Sequence, residues 1–280
     1  MPLRKSAAPR GLLQTPLPDG GRFEHARYHP SPDLAPFVEH FWAVRWNLTG
    51  LPSYRAETLP HPSVHLIFDQ GAGARVAGVA RGKFARTLDG RGGVWAAKFR
   101  PGGFAPFVAG SIDTFTDVVR PIAAVWGERG EDVARRVAAA ADDDQRMEVV
   151  EEFLRGFRPD VTPDASLATT ITEAIATDRT VLSVSVLTHR YGINLRRLQR
   201  LFARYVGVNP KWVIQRYRLH EAAERLVQGN ASQAVLALEL GYADQAHFVR
   251  DFKAAVGTSP AAYSRRAAAR VSRGTHASPR

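Results

Sequence analysis

Cysteine is absent from all 280 positions. That excludes a disulfide framework, a cysteine-ligated zinc or iron–sulfur site, and any thiol nucleophile. Long apolar runs are missing too: the longest stretch without a charged residue, Leu226 to Leu238, has 13 residues and is too short to span a bilayer. Met1 to Gly21 is rich in proline and glycine and lacks the apolar core of a signal peptide, so the expectation is a cytoplasmic protein with no membrane partner. Lysine is scarce, 5 against 33 arginines. Such a bias can arise from codon usage alone, so the placement of basic residues is more informative than their number.

Hydrophobic residues make up 45% of the chain and charged residues 23%, an ordinary globular composition, and the length suits two domains. The net charge is +11. Residues 161–280 carry 17 basic and 8 acidic side chains, whereas residues 1–160 carry 21 and 19. The excess therefore sits in the C-terminal part, which directs attention there for an anionic partner.

Residues 1–21 read as a flexible tail. From Phe23 to about Phe107, short apolar runs such as Val64–Phe68, Val76–Val79 and Val94–Phe99 alternate with turn signals. The pattern predicts a small antiparallel barrel or sandwich. Leu34, Phe37, Val38 and Phe41 follow helical spacing and predict a short helix over Asp33–Val44. Helical periodicity returns over Asp132–Ala140 and Gln145–Phe157. Two prolines, Pro159 and Pro163, then mark a linker over 159–164. Beyond it every segment reads as helix, with Asp164 as the expected cap of the first. The fold class is α+β with two domains: a mainly β small barrel or sandwich with helices over 22–158, and an all-α unit over 165–268. Residues 269–280 read as a disordered tail.

One pattern occurs twice in the helical part. A short helix ends at Gly192 or Gly241, and a three-residue turn ends in a capping residue, Asn194 or Asp244. A longer helix follows with an apolar face, Leu198, Leu201 and Phe202 in one case and Phe248 and Phe252 in the other. Each unit closes on Gly, two residues and Pro: Gly207-Val208-Asn209-Pro210 and Gly257-Thr258-Ser259-Pro260. Glycine permits the sharp turn, the cap satisfies free amides, and the apolar face docks one helix on the other, leaving the opposite face for a major groove. This is a tandem helix-turn-helix.

The sequence here resembles the AraC/XylS family of transcription regulators. The resemblance rests on Leu195-Arg196-Arg197-Leu198-Gln199-Arg200-Leu201-Phe202 with Gly207 to Pro210, and on Gly241-Tyr242-Ala243-Asp244-Gln245-Ala246-His247-Phe248-Val249-Arg250-Asp251-Phe252-Lys253 with Gly257 to Pro260 and Tyr263. It covers about Asp164 to Arg266. Asn194 and Asn209 depart from the usual serines without altering the cap chemistry. The resemblance implies a DNA-binding transcription factor modulated by its N-terminal domain, with two recognition helices entering successive major grooves about 34 Å apart. It implies base-facing roles for Arg196, Gln199 and Arg200 in the first helix and for Gln245, Ala246 and Arg250 in the second. Arginine can pair with guanine and glutamine with adenine through two bonds each. Arg197, Arg204, Lys211 and Lys253 are expected at phosphates. Double-stranded DNA is the expected partner. RNA polymerase, a small-molecule effector bound by the N-terminal domain and a second copy of the chain are the further candidates.

The remaining motifs have structural readings beside functional ones. His61 and His65, with Asp69 four residues on, would share one face of an extended strand and could hint at a metal, but Pro60 and Pro62 spoil the strand, so no metal is assigned. Arg100-Pro101-Gly102-Gly103-Phe104 lacks the ending of a phosphate loop and reads as a turn. Asp142-Asp143-Asp144 reads as a helix-terminal charge cluster, and Trp42, Trp46, Trp95, Trp126, Trp212 and Tyr217 read mostly as core. His247 reads as a packing or capping group, or as a bond to phosphate. The module also occurs beside a DNA-repair domain that accepts methyl groups on cysteine, chemistry that this chain cannot perform. No catalytic residue and no cofactor are assigned, and an enzyme is not expected.

Overall fold

The computed structural model describes residues 12–13, 20–229 and 232–274. Most of the expected N-terminal tail, and residues 275–280 of the C-terminal one, lie outside the described residues. Within the first tail, Leu12–Leu13 (β1) pairs antiparallel with Tyr54–Thr58 (β4), which pairs with Phe84–Leu88 (β7). A second antiparallel sheet has six strands. Its order is Arg22–Tyr28 (β2), Val38–Leu48 (β3), Gly90–Phe99 (β8), His65–Asp69 (β5), Gly73–Ala77 (β6) and Val119–Pro121 (β9). The mainly β N-terminal half is thus two antiparallel sheets with helices attached.

The helix expected over Asp33–Val44 is a correction. Only turns precede Val38, and the chain then enters β3. Val38, Phe41, Trp42, Val44 and Trp46 are β-branched or aromatic, and β3 is hydrogen-bonded on both sides, to β2 and β8. A central strand covered on both faces loses its period of two, and the surviving apolar residues can mimic helical spacing.

Ile122–Ala139 (α1) begins well before the expected Asp132 and passes through a bend at Gly127, whose φ of 56° and ψ of −140° are not helical. The glycine hides the continuity from a propensity reading. Asp143–Arg155 (α2) follows. Asp142 caps it, accepting from the Gln145 amide at 2.9 Å. Asp143 is buried and accepts from Tyr28 Oη at 2.6 Å and Arg45 at 2.5 Å, fastening α2 to the sheet. Phe41, Phe99, Phe104 and Phe107 form the main core with Val133, Val150 and Leu154 from the two helices.

Seven helices follow: Pro163–Thr177 (α3), Val184–Tyr191 (α4), Leu195–Tyr205 (α5), Pro210–Gln228 (α6), Gln233–Glu239 (α7), Gln245–Val256 (α8) and Pro260–Gly274 (α9). Thr162, not Asp164, caps α3 and puts Pro163 at its first position, so the helix starts inside the expected linker. α9 likewise runs past residue 269 into the expected disordered tail; Tyr263 and Ala267 are buried on it and anchor the helix from which the rest continues.

The two halves are packed against each other. Val79 of the β half joins the core of α3–α6, and Leu13 and Leu59 join the core of α6–α9. The Arg100–Phe104 segment is a turn, as read, and it serves this interface. Thr169 Oγ1 on α3 donates to the Pro101 carbonyl at 2.7 Å. A Cβ on Gly103 would stand 2.3 Å from the Phe37 carbonyl oxygen, so only glycine fits there.

Candidate nucleic-acid interface

Both turn regions are built by the same local chemistry. Gly192 (φ 60°) and Gly241 (φ 74°) take the left-handed conformation. The next amide in each case, Ile193 or Tyr242, donates back to Thr188 O at 3.2 Å or Ala237 O at 2.9 Å. This is the bond of a glycine-terminated helix end. Asn194 Oδ1 then accepts from the Arg197 amide at 2.8 Å, and Asp244 Oδ1 from the His247 amide at 2.7 Å. Asn209 caps α6 in the same way, accepting from the Trp212 amide at 2.8 Å.

The caps fix which face of each second helix turns inward. On α5, Leu198, Leu201 and Phe202 are buried, and Arg196, Gln199 and Arg200 are exposed. On α8, Phe248, Phe252 and Val256 are buried, and Gln245, Ala246 and Arg250 are exposed. The six residues expected to face bases therefore form two groups, one on each helix, each opposite an apolar face. α5 carries four arginines and no acid.

The residues expected at phosphates are less uniform. Lys211 and Lys253 are exposed. Arg197 pairs with Asp164 at 3.3 Å, with both side chains about half exposed (53% and 52%), an ion pair of small worth in water. The Arg204 guanidinium lies 5.9 Å from the Tyr205 ring centroid. Gln199 also borders a cleft of about 200 Å³ shared by the two halves, together with Arg81, Asp113, Thr116, Asn209 and Trp212. Beside that cleft Ser111 Oγ donates to Ala203 O at 3.0 Å and Thr116 Oγ1 to Gly207 O at 2.5 Å, so the β half is docked on the C-terminal end of α5.

α6 carries both helix-turn-helix units. Gln215 Nε2 donates to Asp251 on α8 at 2.7 Å, and Arg218 donates to the Leu182 carbonyl ahead of α4. Sequence reading assigned neither residue, because each finds its partner only across the fold. His247 packs edge-on against Tyr242, with centroids 5.2 Å apart, and its Nε2 lies 3.4 Å from Asp251, which supports the packing reading. Burial lifts the Tyr242 phenol well above its usual range.

The three residues weighed for a metal are occupied separately. His65 Nδ1 accepts from Trp42 Nε1 at 3.2 Å, and the His61 ring stacks on His220 of α6. Asp69 binds Arg75 at 2.9 Å, Arg86, and the Gly71 and Ala72 amides. Among the described residues, no group of three or more histidines and carboxylates is placed to hold a metal ion. No helix among them is long and apolar enough to cross a membrane.

Residues 187–266 match the model of a helix-turn-helix domain, and residues 26–121 that of a domain of unknown function (DUF6597). The HTH-type transcriptional activator RhaS of Pectobacterium carotovorum is 34% identical over 74 residues, which is 26% of this chain and 26% of that protein. The chain thus spans about a quarter of the length of such relatives. The activator AarP of Providencia stuartii is 34% identical over 82 residues, 29% of this chain and 61% of AarP. The "Probable transcription factor PqrA" of Proteus vulgaris is 30% identical over 82 residues, 29% of this chain and 67% of PqrA. Among solved structures, ToxT from Vibrio cholerae O395, in complex with a naphthalenyl butenoic acid, aligns over 88% of this chain and 99% of its own. Its TM-score is 0.42 at 11% identity, a likeness too loose to carry any residue across. With its two capped helix-turn-helix units matched to these regulators, the chain belongs to the AraC/XylS family of transcription regulators.

Proposed function

We propose that the chain is a sequence-specific DNA-binding transcription factor, in which residues 165–268 bind double-stranded DNA and residues 22–158 sense or dimerise, joined through 159–164. The observation that carries this reading is the pair of exposed polar groups, Arg196/Gln199/Arg200 and Gln245/Ala246/Arg250, on two helices capped alike and held by one long helix. Arg196, Arg200 and Arg250 would donate to guanine, Gln199 and Gln245 would pair with adenine, and Ala246 would meet a thymine methyl group. Arg197, Arg204, Lys211 and Lys253 would neutralise phosphates and set the salt dependence. The protein acts in the cytoplasm, without catalytic residues, metal or cofactor. RNA polymerase, a second copy of the chain and a small-molecule effector are the further partners. The docking of the β half on α5 supports modulation by that half, since whatever alters the packing of the halves alters the surroundings of Gln199.

Selection of bound sites from random duplexes by the full chain, followed by footprinting, tests the reading. A site of two segments one helical turn apart is expected. Uniform, sequence-independent protection would overturn it.

A further inference from the structure

His61 lies in the loop between β4 and β5, and His220 on α6. Their rings are parallel to within 1°, with centroids 3.9 Å apart, so the two halves meet through a face-to-face imidazole pair. Tyr217 closes the group, its ring 5.7 Å from His61 and 6.3 Å from His220. His220 donates to the Pro60 carbonyl, and its Nε2 is buried without a hydrogen-bond partner among the described residues. That places its one proton on Nδ1 and keeps the ring neutral.

The surroundings oppose a second proton. Lys98 from β8 and Arg216 from α6 are the nearby cations, and His65 from β5 and His40 from β3 are the nearby imidazoles. The carboxylate on this side, Glu39 of β3, already pairs with Lys98 at 2.8 Å and lies 3.4 Å from His40 Nδ1. From α3, Glu173 acts on Tyr217 and is bound to Arg100 at 3.0 Å. An imidazolium at position 61 or 220 would therefore be a buried charge whose nearest counter-ion is already shared.

We propose that the His61–His220 stack is an acid-sensitive latch between the two halves, closed while both rings are neutral and released as protons are taken up by the separated rings. The proposal stands on the stack itself and does not depend on what the chain binds. Burial, with the neighbouring charges second, lowers His61 well below 6.5 and His220 to about 3. Separated and hydrated, each ring would return to about 6.5. Below that pH the parted state binds more protons than the closed one, so acid favours parting. Going from pH 7.0 to 5.5, each ring raises the ratio of parted to closed molecules about eightfold, and the pair about seventyfold. Glu39 remains ionised over this range, because the charge and hydrogen bonds of His40 and Lys98 outweigh its burial and hold it well below the carboxylate range.

The absence of native cysteine allows a clean test. Fluorophores placed on the full chain through Arg91→Cys and Ala254→Cys, both at exposed positions, report the separation of the halves by energy transfer. Transfer should fall reversibly between pH 7.0 and 5.5 while near-ultraviolet circular dichroism stays constant. His61→Phe keeps a ring without a titrating nitrogen, and His220→Gln keeps a donor for Pro60. Each single variant should retain about an eightfold response, and the double variant none. Four results would overturn the latch: an unresponsive parent chain, a double variant as responsive as the parent, single variants that keep the full response, or a response that coincides with loss of the dichroism signal.

Discussion

Leu59 belongs by sequence to the β half, yet its side chain is 1% exposed within the core of the second helix-turn-helix, among Leu219, Ala223, Phe248 and Phe252. Leu59→Ala should therefore loosen α8, although it lies far from α8 along the chain. Removing three carbons from a closed core forfeits about 2–3 kcal/mol of transfer free energy, and an unfilled cavity raises the cost to at most about 5 kcal/mol. At 1.4 kcal/mol per factor of ten, amides of α8 that exchange by opening this core should exchange about 30-fold faster or more. The control is Leu48→Ala. Leu48 is equally buried, but between the two sheets with Trp46 and Leu88. It should speed exchange in β3 and leave α8 nearly unchanged. Native-state hydrogen exchange resolved to single helices reads both variants. The reasoning fails if Leu59→Ala leaves α8 untouched, or if Leu48→Ala disturbs α8 as much as Leu59→Ala does.

Arg200→Ala and Arg250→Ala should each lower specific DNA affinity by about 1–3 kcal/mol and relax different segments of the site; relaxation of the same base pairs would refute the two-groove arrangement. Lys211→Ala should weaken all sequences alike and reduce the salt slope by about one, as binding titrations over a range of salt would show. Arg216 is 3% exposed, donates to the Arg81 carbonyl at 2.5 Å and lies over the Trp212 ring at 4.5 Å, while burial lowers it to about 10. That desolvation costs about 3 kcal/mol and roughly offsets the bond and the ring contact, so Arg216→Met should shift urea-unfolding stability by less than about 2 kcal/mol; a larger loss would mean that the polar contacts dominate. Burial alone would raise Asp69, yet Arg86, Arg75 and two turn amides hold it well below the carboxylate range. Its contribution is therefore complete above the unfolded-state value of about 4 and is lost as pH falls below that toward its folded value, so Asp69→Asn should flatten the acid limb of stability measured between pH 5 and 2.

The sequence by itself determined the features that short stretches of chain can settle. Asn194, Asp244 and Asn209 cap helices because each bonds an amide three residues on, and Gly192 and Gly241 end helices because they adopt positive φ without strain. The periods of α5 and α8 then fixed which side chains would be buried, so the two exposed polar groups were legible without a structure. Cap geometry already blurred at α3, where Thr162 and Asp164 are both competent and only the position of Pro163 selects between them. The tertiary structure alone decided the rest. β3 forms because strands distant in sequence hydrogen-bond to both its edges, and that burial on both faces erased the alternation that would have announced it. The partners of Val79, Leu59, His61 and Arg216 lie across the interface between the halves, more than a hundred residues away along the chain. No local periodicity or propensity encodes such contacts, because their energy exists only once both surfaces have been built and brought together.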